Sequence, residues 1–218
     1  MAKYQEEIFT ILATQYPNPK TELNYPNNFC LLVAIILSAQ STDIMVNKAT
    51  EKLFLVADSP KAILQLGIDN LKSYIKILGL YNGKASNIIK LSSILIESLN
   101  EEIPSKFEEL CKLPGVGRKT AGVYLNCVYK MPIIAVDTHV FRVSNRLGLV
   151  KNYRGSGASN FIAVEKELNK NIINKFKVEA HHLMILHGRY CCKARKPQCE
   201  ICKISHLCRY FQKITTGK

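Results

Sequence analysis

Acidic residues are scarce in this sequence: 17 Asp and Glu stand against 30 Lys and Arg over 218 residues, a formal net charge of +13. That imbalance favours a polyanionic partner, nucleic acid first and an anionic membrane surface second. A merely Lys-rich protein is the plain alternative. Long apolar runs are also missing. The longest, Phe29 to Leu37, falls far short of the ~20 residues that span a bilayer, and it reads as a core helix apolar on every side. The first residues, MAKYQEEIF, carry charges where a secretory leader carries its apolar segment, so a cytoplasmic, reducing setting is expected. There, eight cysteines point to metal ligation or inert burial rather than disulfides. Strand patterning is nearly absent as well: Pro132-Ile-Ile-Ala-Val136 is the one strand-like piece, too short and solitary to build a sheet. With 47% hydrophobic residues, the chain has ample material for a core, and the expected class is all-α.

Helical signals fill the rest. Ser59-Pro60 has the form of an N-cap followed by proline at the first helical position, and Gly79 ends the segment after Leu71, Ile75 and Leu78. Asn82 opens a long helix with Ile88, Leu91, Ile94 and Leu95 on one stripe. Ser105 and Glu108 have capping-box spacing. Residues 158–168 and 178–190 are further amphipathic segments, and 155–159 (GSGAS) is a loop. Cys30, Cys111 and Cys127 lie in apolar patterns and read as core.

The stretch ELCKLPGVGRKTAGVYLN (109–126) asks for more than a turn. Gly115 and Gly117 permit positive φ and close approach of another backbone. A helix beginning near Arg118 offers unsatisfied N–H groups to a phosphate oxygen. With Arg118 and Lys119 at its exit, the hairpin has the makings of a sequence-independent DNA clamp; an ordinary helix–helix turn is the bland reading. Lys119 lies about 160° around the helical wheel from Ala121, whose face continues through Leu125 and Val128. It therefore projects from the packed face, and the helix start and Arg118 both disfavour its protonated form, as an amine nucleophile requires. Asp137 opens DTHVFRVSNRLGL at an N-cap position. A helix from Lys119 to Tyr129 advances ~15 Å, and the return from Lys130 can span up to ~24 Å, so two helix starts can meet with an amine and a carboxylate between them. A plain cap remains the simpler role for Asp137.

Cys192, Cys199, Cys202 and Cys208 form C-x6-C-x2-C-x5-C in one short basic segment. Four thiolates so close can wrap one metal centre. Only one pair is tight, so zinc and an iron–sulfur cluster are both admissible, and Cys191 can stand in for Cys192 with a longer first loop. The intervening Lys193, Arg195 and Lys196 make a cationic finger suited to phosphates.

Together these residues resemble the endonuclease III family of DNA glycosylases over nearly the whole chain. The likeness runs from LLVAIILSAQSTDIMVNKAT through IKILGLYNGKASNII, LPGVGRKTA and AVDTHVFRVSNR to HHLMILHGRYCCKARKPQCEIC. It implies two helical domains: a six-helix barrel over 22–132, with a helix–hairpin–helix at about 106–126, and an iron–sulfur domain formed by 1–21 plus 133–218. It implies a [4Fe–4S] cluster on Cys192, Cys199, Cys202 and Cys208. The implied activity is a bifunctional base-excision-repair glycosylase and AP lyase acting on double-stranded DNA with oxidised pyrimidines or abasic sites. Such an enzyme is expected as a monomer in the cytoplasm, associated with the nucleoid. The base is flipped out, Lys119 forms a Schiff base with C1′, β-elimination follows, and Asp137 stabilises charge and moves protons. Gln40 and Leu80 fill the gap in the base stack; Gly115, Val116, Gly117 and Arg118 contact DNA. Cys191 departs from the family's wording, and His181, His182 and His187, which match a His-containing helix, are given structural roles.

Two rivals share some of these features. An adenine-mismatch glycosylase has hairpin and cluster but normally lacks a lysine at the position of Lys119 and carries a further C-terminal domain. A non-catalytic DNA-binding module could use the hairpin as a clamp but does not need Asp137. A zinc-stabilised RNA-binding protein is more distant.

Overall fold

A computed structural model describes residues 2–155 and 157–217. Among these the secondary structure is helical, with no strand; Pro132–Val136 is irregular chain. The chain divides into two compact units, residues 22–129 and residues 1–21 with 130–218.

The continuous unit is organised on α2 (Asn28–Leu37), whose residues Phe29 to Leu37 are all buried. Fully burying each large apolar side chain is worth about 1.5–3 kcal/mol, so this helix can only be central. Around it pack α3 (Asp43–Val56), α6 (Tyr81–Leu99) and α8 (Arg118–Tyr129). The remaining helices of this unit are α4 (Pro60–Leu66), α5 (Ile68–Ile75) and the single turn α7 (Phe107–Leu110). Side-chain caps start α2, α3 and α4: Asn27 accepts from the Cys30 amide at 2.9 Å, Thr42 from Met45 at 3.3 Å and Ser59 from Ala62 at 3.3 Å.

Three local expectations need correction. The segment after Ser59 is two helices, because Gly67 at φ +76° breaks it. The Ser105–Glu108 capping box does not form: α7 is entered through Lys106 without a side-chain cap, and the Lys106 ammonium pairs with Glu109 at 3.1 Å. Of the three supposed core cysteines only Cys30 is fully buried, where burial pushes its thiol up to about 12; Cys111 and Cys127 are half-buried.

The second unit joins α1 (Ala2–Gln15) to α9 (Thr138–Leu147), α10 (Ala158–Asn171), α11 (Asn174–Tyr190) and α12 (Arg209–Thr216). Its core takes Ile8, Phe9 and Leu12 from α1 and Val140, Val143 and Leu147 from α9. Val164 and Leu168 of α10 and Leu183 and Met184 of α11 complete it. Phe9 stacks on Phe176 with ring centres 5.6 Å apart. The Tyr4 hydroxyl meets the Leu207 carbonyl at 2.7 Å and also the Leu147 carbonyl, which ties the first helix to the cysteine-bearing end.

Candidate active site and metal centre

The turn from α7 to α8 is closed by a bond from the Val116 amide to the Leu113 carbonyl, 3.0 Å. Gly115 is required there twice over. Its φ is +78°, and an added Cβ would lie 3.1 Å from Asn87 Cβ and 3.2 Å from Ile36 Cγ2. Gly117 differs from expectation: it is absent from the positive-φ positions, and a Cβ there would meet nothing within 4 Å. Its value is open space at the helix start, where the Ala121 amide makes an early bond of α8, to the Gly117 carbonyl at 2.9 Å. Lys119 is exposed, whereas Ala121 through Asn126 are buried. Arg118 is exposed with its guanidinium 5.0 Å over the Phe107 ring. Val116 is buried, so a ligand at this turn meets backbone there rather than its side chain.

In the same unit four non-glycine residues adopt left-handed backbone: Asn100 and Glu101 just past the end of α6, and two further ones, Gln40 at φ +54° and Leu80 at φ +59°. Gln40 and Leu80 are both exposed, Leu80 to 63%. An exposed leucine held in this conformation is unusual twice over, because the backbone choice costs roughly 1–2 kcal/mol and the apolar surface faces water.

In the other unit Asp137 caps α9, its Oδ1 accepting from the Val140 amide at 2.7 Å. Two residues on, burial is the main influence holding the His139 imidazole below its usual range, with Asp137 opposing it. Gly188 of α11 lets the two helices meet: a Cβ there would sit 2.9 Å from His139 Cβ. Arg142 bonds the Gly188 carbonyl at 2.9 Å and the Cys192 carbonyl at 3.0 Å. One turn further, Arg146 reaches Cys192 Sγ at 3.3 Å, the Lys193 carbonyl at 2.8 Å and the Ala194 carbonyl at 3.1 Å, and lies 4.6 Å over the Tyr210 ring. Helix α9 thus carries Asp137 at one end and grips the cysteine segment with the other. Sequence reading missed both arginines; the available signal was their i, i+4 spacing behind Asp137.

Cys192, Cys199, Cys202 and Cys208 line one cavity whose other walls include Leu147, Pro197, Tyr210 and Phe211. None is in a disulfide. Four thiols converging on an apolar chamber are the donor set and surroundings of an iron–sulfur cluster, so the residues present fit that group. Cys191 also faces the cavity and, with Cys202 and His187, forms a set of ligand atoms within 4.8 Å of one another. Lys193, Arg195 and Lys196 are exposed on the loop between the first two cysteines.

Residues 33–171 match the model of the HhH-GPD superfamily base excision DNA repair proteins, and residues 192–208 that of the iron–sulfur binding domain of endonuclease III. The second match begins and ends on Cys192 and Cys208. The chain is 56% identical to an endonuclease III of Rickettsia conorii, with 96% of this chain and 97% of that protein covered. It is 51% identical to that of Escherichia coli K12, with 95% and 96% covered. Among solved structures, a trapped endonuclease III–DNA covalent intermediate superposes with a TM-score of 0.87 at 42% identity, covering 99% of this chain and all of that one. A non-covalent endonuclease III–DNA complex gives 0.86 at 43%, covering 97% and 98%.

Proposed function

The chain belongs to the endonuclease III family of base excision DNA repair enzymes and binds an iron–sulfur cluster, and we propose that it is a bifunctional DNA glycosylase and AP lyase that removes oxidised pyrimidines from duplex DNA. The observation that carries this reading is Lys119: an exposed amine on the first turn of α8, directly behind a glycine hairpin open to a backbone. The hairpin amides and Arg118 take phosphates, and the target nucleotide is extruded. Lys119 Nζ attacks C1′ of the sugar. The glycosidic bond breaks with its electron pair leaving on the base and the nitrogen loses a proton; the C1′–O4′ bond then opens, its electron pair and a proton going to the ring oxygen, to give an imine. Removal of a C2′ proton then expels the 3′ phosphate oxygen. Asp137 balances positive charge on the sugar and relays protons, while Gln40 and Leu80 occupy the gap in the stack.

A [4Fe–4S] cluster on Cys192, Cys199, Cys202 and Cys208 supplies a cross-link that stiffens the segment bearing Lys193, Arg195 and Lys196 for phosphate contact. The enzyme acts as a monomer in the nucleoid-bearing cytoplasm, and no described helix is long and apolar enough to cross a membrane.

The test is borohydride trapping on duplex DNA bearing thymine glycol. The parent protein gives a covalent adduct, Lys119→Ala gives none, and Asp137→Asn binds but reacts slowly. An undiminished adduct in Lys119→Ala refutes the assignment, and release of adenine from a mismatch without any adduct moves the protein to the mismatch-specific class.

A further inference from the structure

Lysine side chains are seldom buried without a reason, and Lys84 is 5% exposed. Its ammonium donates to the Leu37 carbonyl at 2.8 Å and to Ser41 Oγ at 3.0 Å. Burial lowers its pKa, so the protein bears a cost to keep a cation there. Leu37 is the last residue of α2, where a carbonyl lacks a helical partner and the helix end is negative. Part of the explanation is therefore a C-terminal cap made from 47 residues away.

A cap alone does not need this particular residue. Leu37 and Ser41 bracket a tight turn, closed by the Ser41 amide on the Ser38 carbonyl at 3.1 Å, and the left-handed Gln40 sits inside that bracket. On its other side the Lys84 amide bonds the Leu80 carbonyl at 3.1 Å, the first rung of α6, and Leu80 is left-handed like Gln40. The two turns lie close together: a Cβ on Gly79 would lie 3.7 Å from the Gln40 carbonyl oxygen. One residue thus sits at both turns: its amide makes the helical rung to Leu80 that any residue but proline would make here, and its ammonium ties that helix start to Leu37 and Ser41 on either side of Gln40.

We propose that Lys84 is a positioning residue that locks Gln40 and Leu80 into one rigid two-pronged wedge, so that both side chains enter the duplex together at the site of the extruded nucleotide. Neither prong is anchored this way by its own side chain, and Lys84, being buried, acts without touching DNA. The inference rests on the reading that Gln40 and Leu80 fill the gap.

The experiment compares cleavage of an abasic site in a duplex with cleavage of the same strand alone, where no stack has a gap to fill. Misplacing reacting groups by ~1 Å costs about 10²-fold. Lys84→Met in the holoprotein is expected to lose that much on duplex while single-strand cleavage changes by no more than about twofold on the same scale. Lys84→Arg, which keeps a buried cation and its donors, restores duplex cleavage. Ser41→Ala, a smaller change that removes one of the two anchors, shows a weaker loss of the same duplex-selective kind. Leu80→Ala combined with Lys84→Met is no slower on duplex than the slower single variant. Equal losses on both substrates, or a duplex rate unchanged in both Lys84→Met and Ser41→Ala, overturn the proposal. Failure of the underlying reading is distinguishable, because the parent protein then cleaves neither substrate, or Leu80→Ala leaves the duplex rate intact.

Discussion

Replacing Arg146 by lysine should loosen the cluster segment without unfolding the helices that carry it. The guanidinium holds three acceptors at once, Cys192 Sγ and the carbonyls of Lys193 and Ala194, and stacks over Tyr210. An ammonium reaches one of them and has no planar fork. Hydrogen bonds from a charged donor are worth about 1.5–3 kcal/mol, but Arg146 is only half-buried, so ~1 kcal/mol each is the appropriate scale after solvent screening. Two lost bonds and ~0.5 kcal/mol of weakened stacking make opening of the 192–199 loop easier by ~2–3 kcal/mol. At ~1.4 kcal/mol per tenfold, that is about 30- to 150-fold. The assay follows bleaching of the cluster's visible absorbance and release of iron into excess chelator, with far-UV circular dichroism in parallel. Faster bleaching at unchanged helicity is the expected result. A rate equal to the parent's, or loss of helicity ahead of the absorbance, would show that Arg146 does not hold this loop.

The two hairpin glycines should separate. Gly115→Ala meets both a positive φ and close contacts, at about 1–2 kcal/mol for the backbone and 1–3 kcal/mol for overpacking, so its melting temperature falls. Gly117→Ala, with nothing within 4 Å, keeps its stability and loses duplex affinity in a titration; equal melting of the two contradicts this. His182 is pushed down to about 3, chiefly by burial, whereas its unfolded counterpart titrates near ~6.5. The stability it contributes is present above that value and is lost as pH falls toward 3, because the unfolded chain takes up a proton that the fold refuses. Between pH 7 and 5 the loss is about 2 kcal/mol. Denaturant unfolding of His182→Asn should show a correspondingly flatter pH slope, and an identical slope removes His182 as the cause. Cys192→Ser should lose iron and Cys191→Ser retain it; the reverse would exchange the two as ligands.

What could be seen in the sequence depended on how many uses a residue type has. Gly115 and Asp137 stood out because left-handed turns and helix starts call for few residue types, and the all-helical class followed from periodicity alone. Other features arise only when distant segments meet. Lys84 is one of 30 basic residues, and nothing near it in sequence announces that Leu37 will cover its ammonium. Arg142 and Arg146 carry no local mark either, because their long-range acceptors lie in α11 and the cysteine segment, some 46 to 50 residues away. The break at Gly67 was hidden because Leu71 and Ile75 continue an apolar rhythm across it, and Ser105 lost its cap to a one-residue shift that let Lys106 pair with Glu109.

The most direct measurement is peptide mapping by mass spectrometry of the borohydride-reduced complex formed with duplex DNA carrying an oxidised pyrimidine. The account predicts a deoxyribose-derived mass on the peptide containing Lys119 and on no other lysine. A remnant on a different lysine, or a complex in which no side chain is modified, contradicts it.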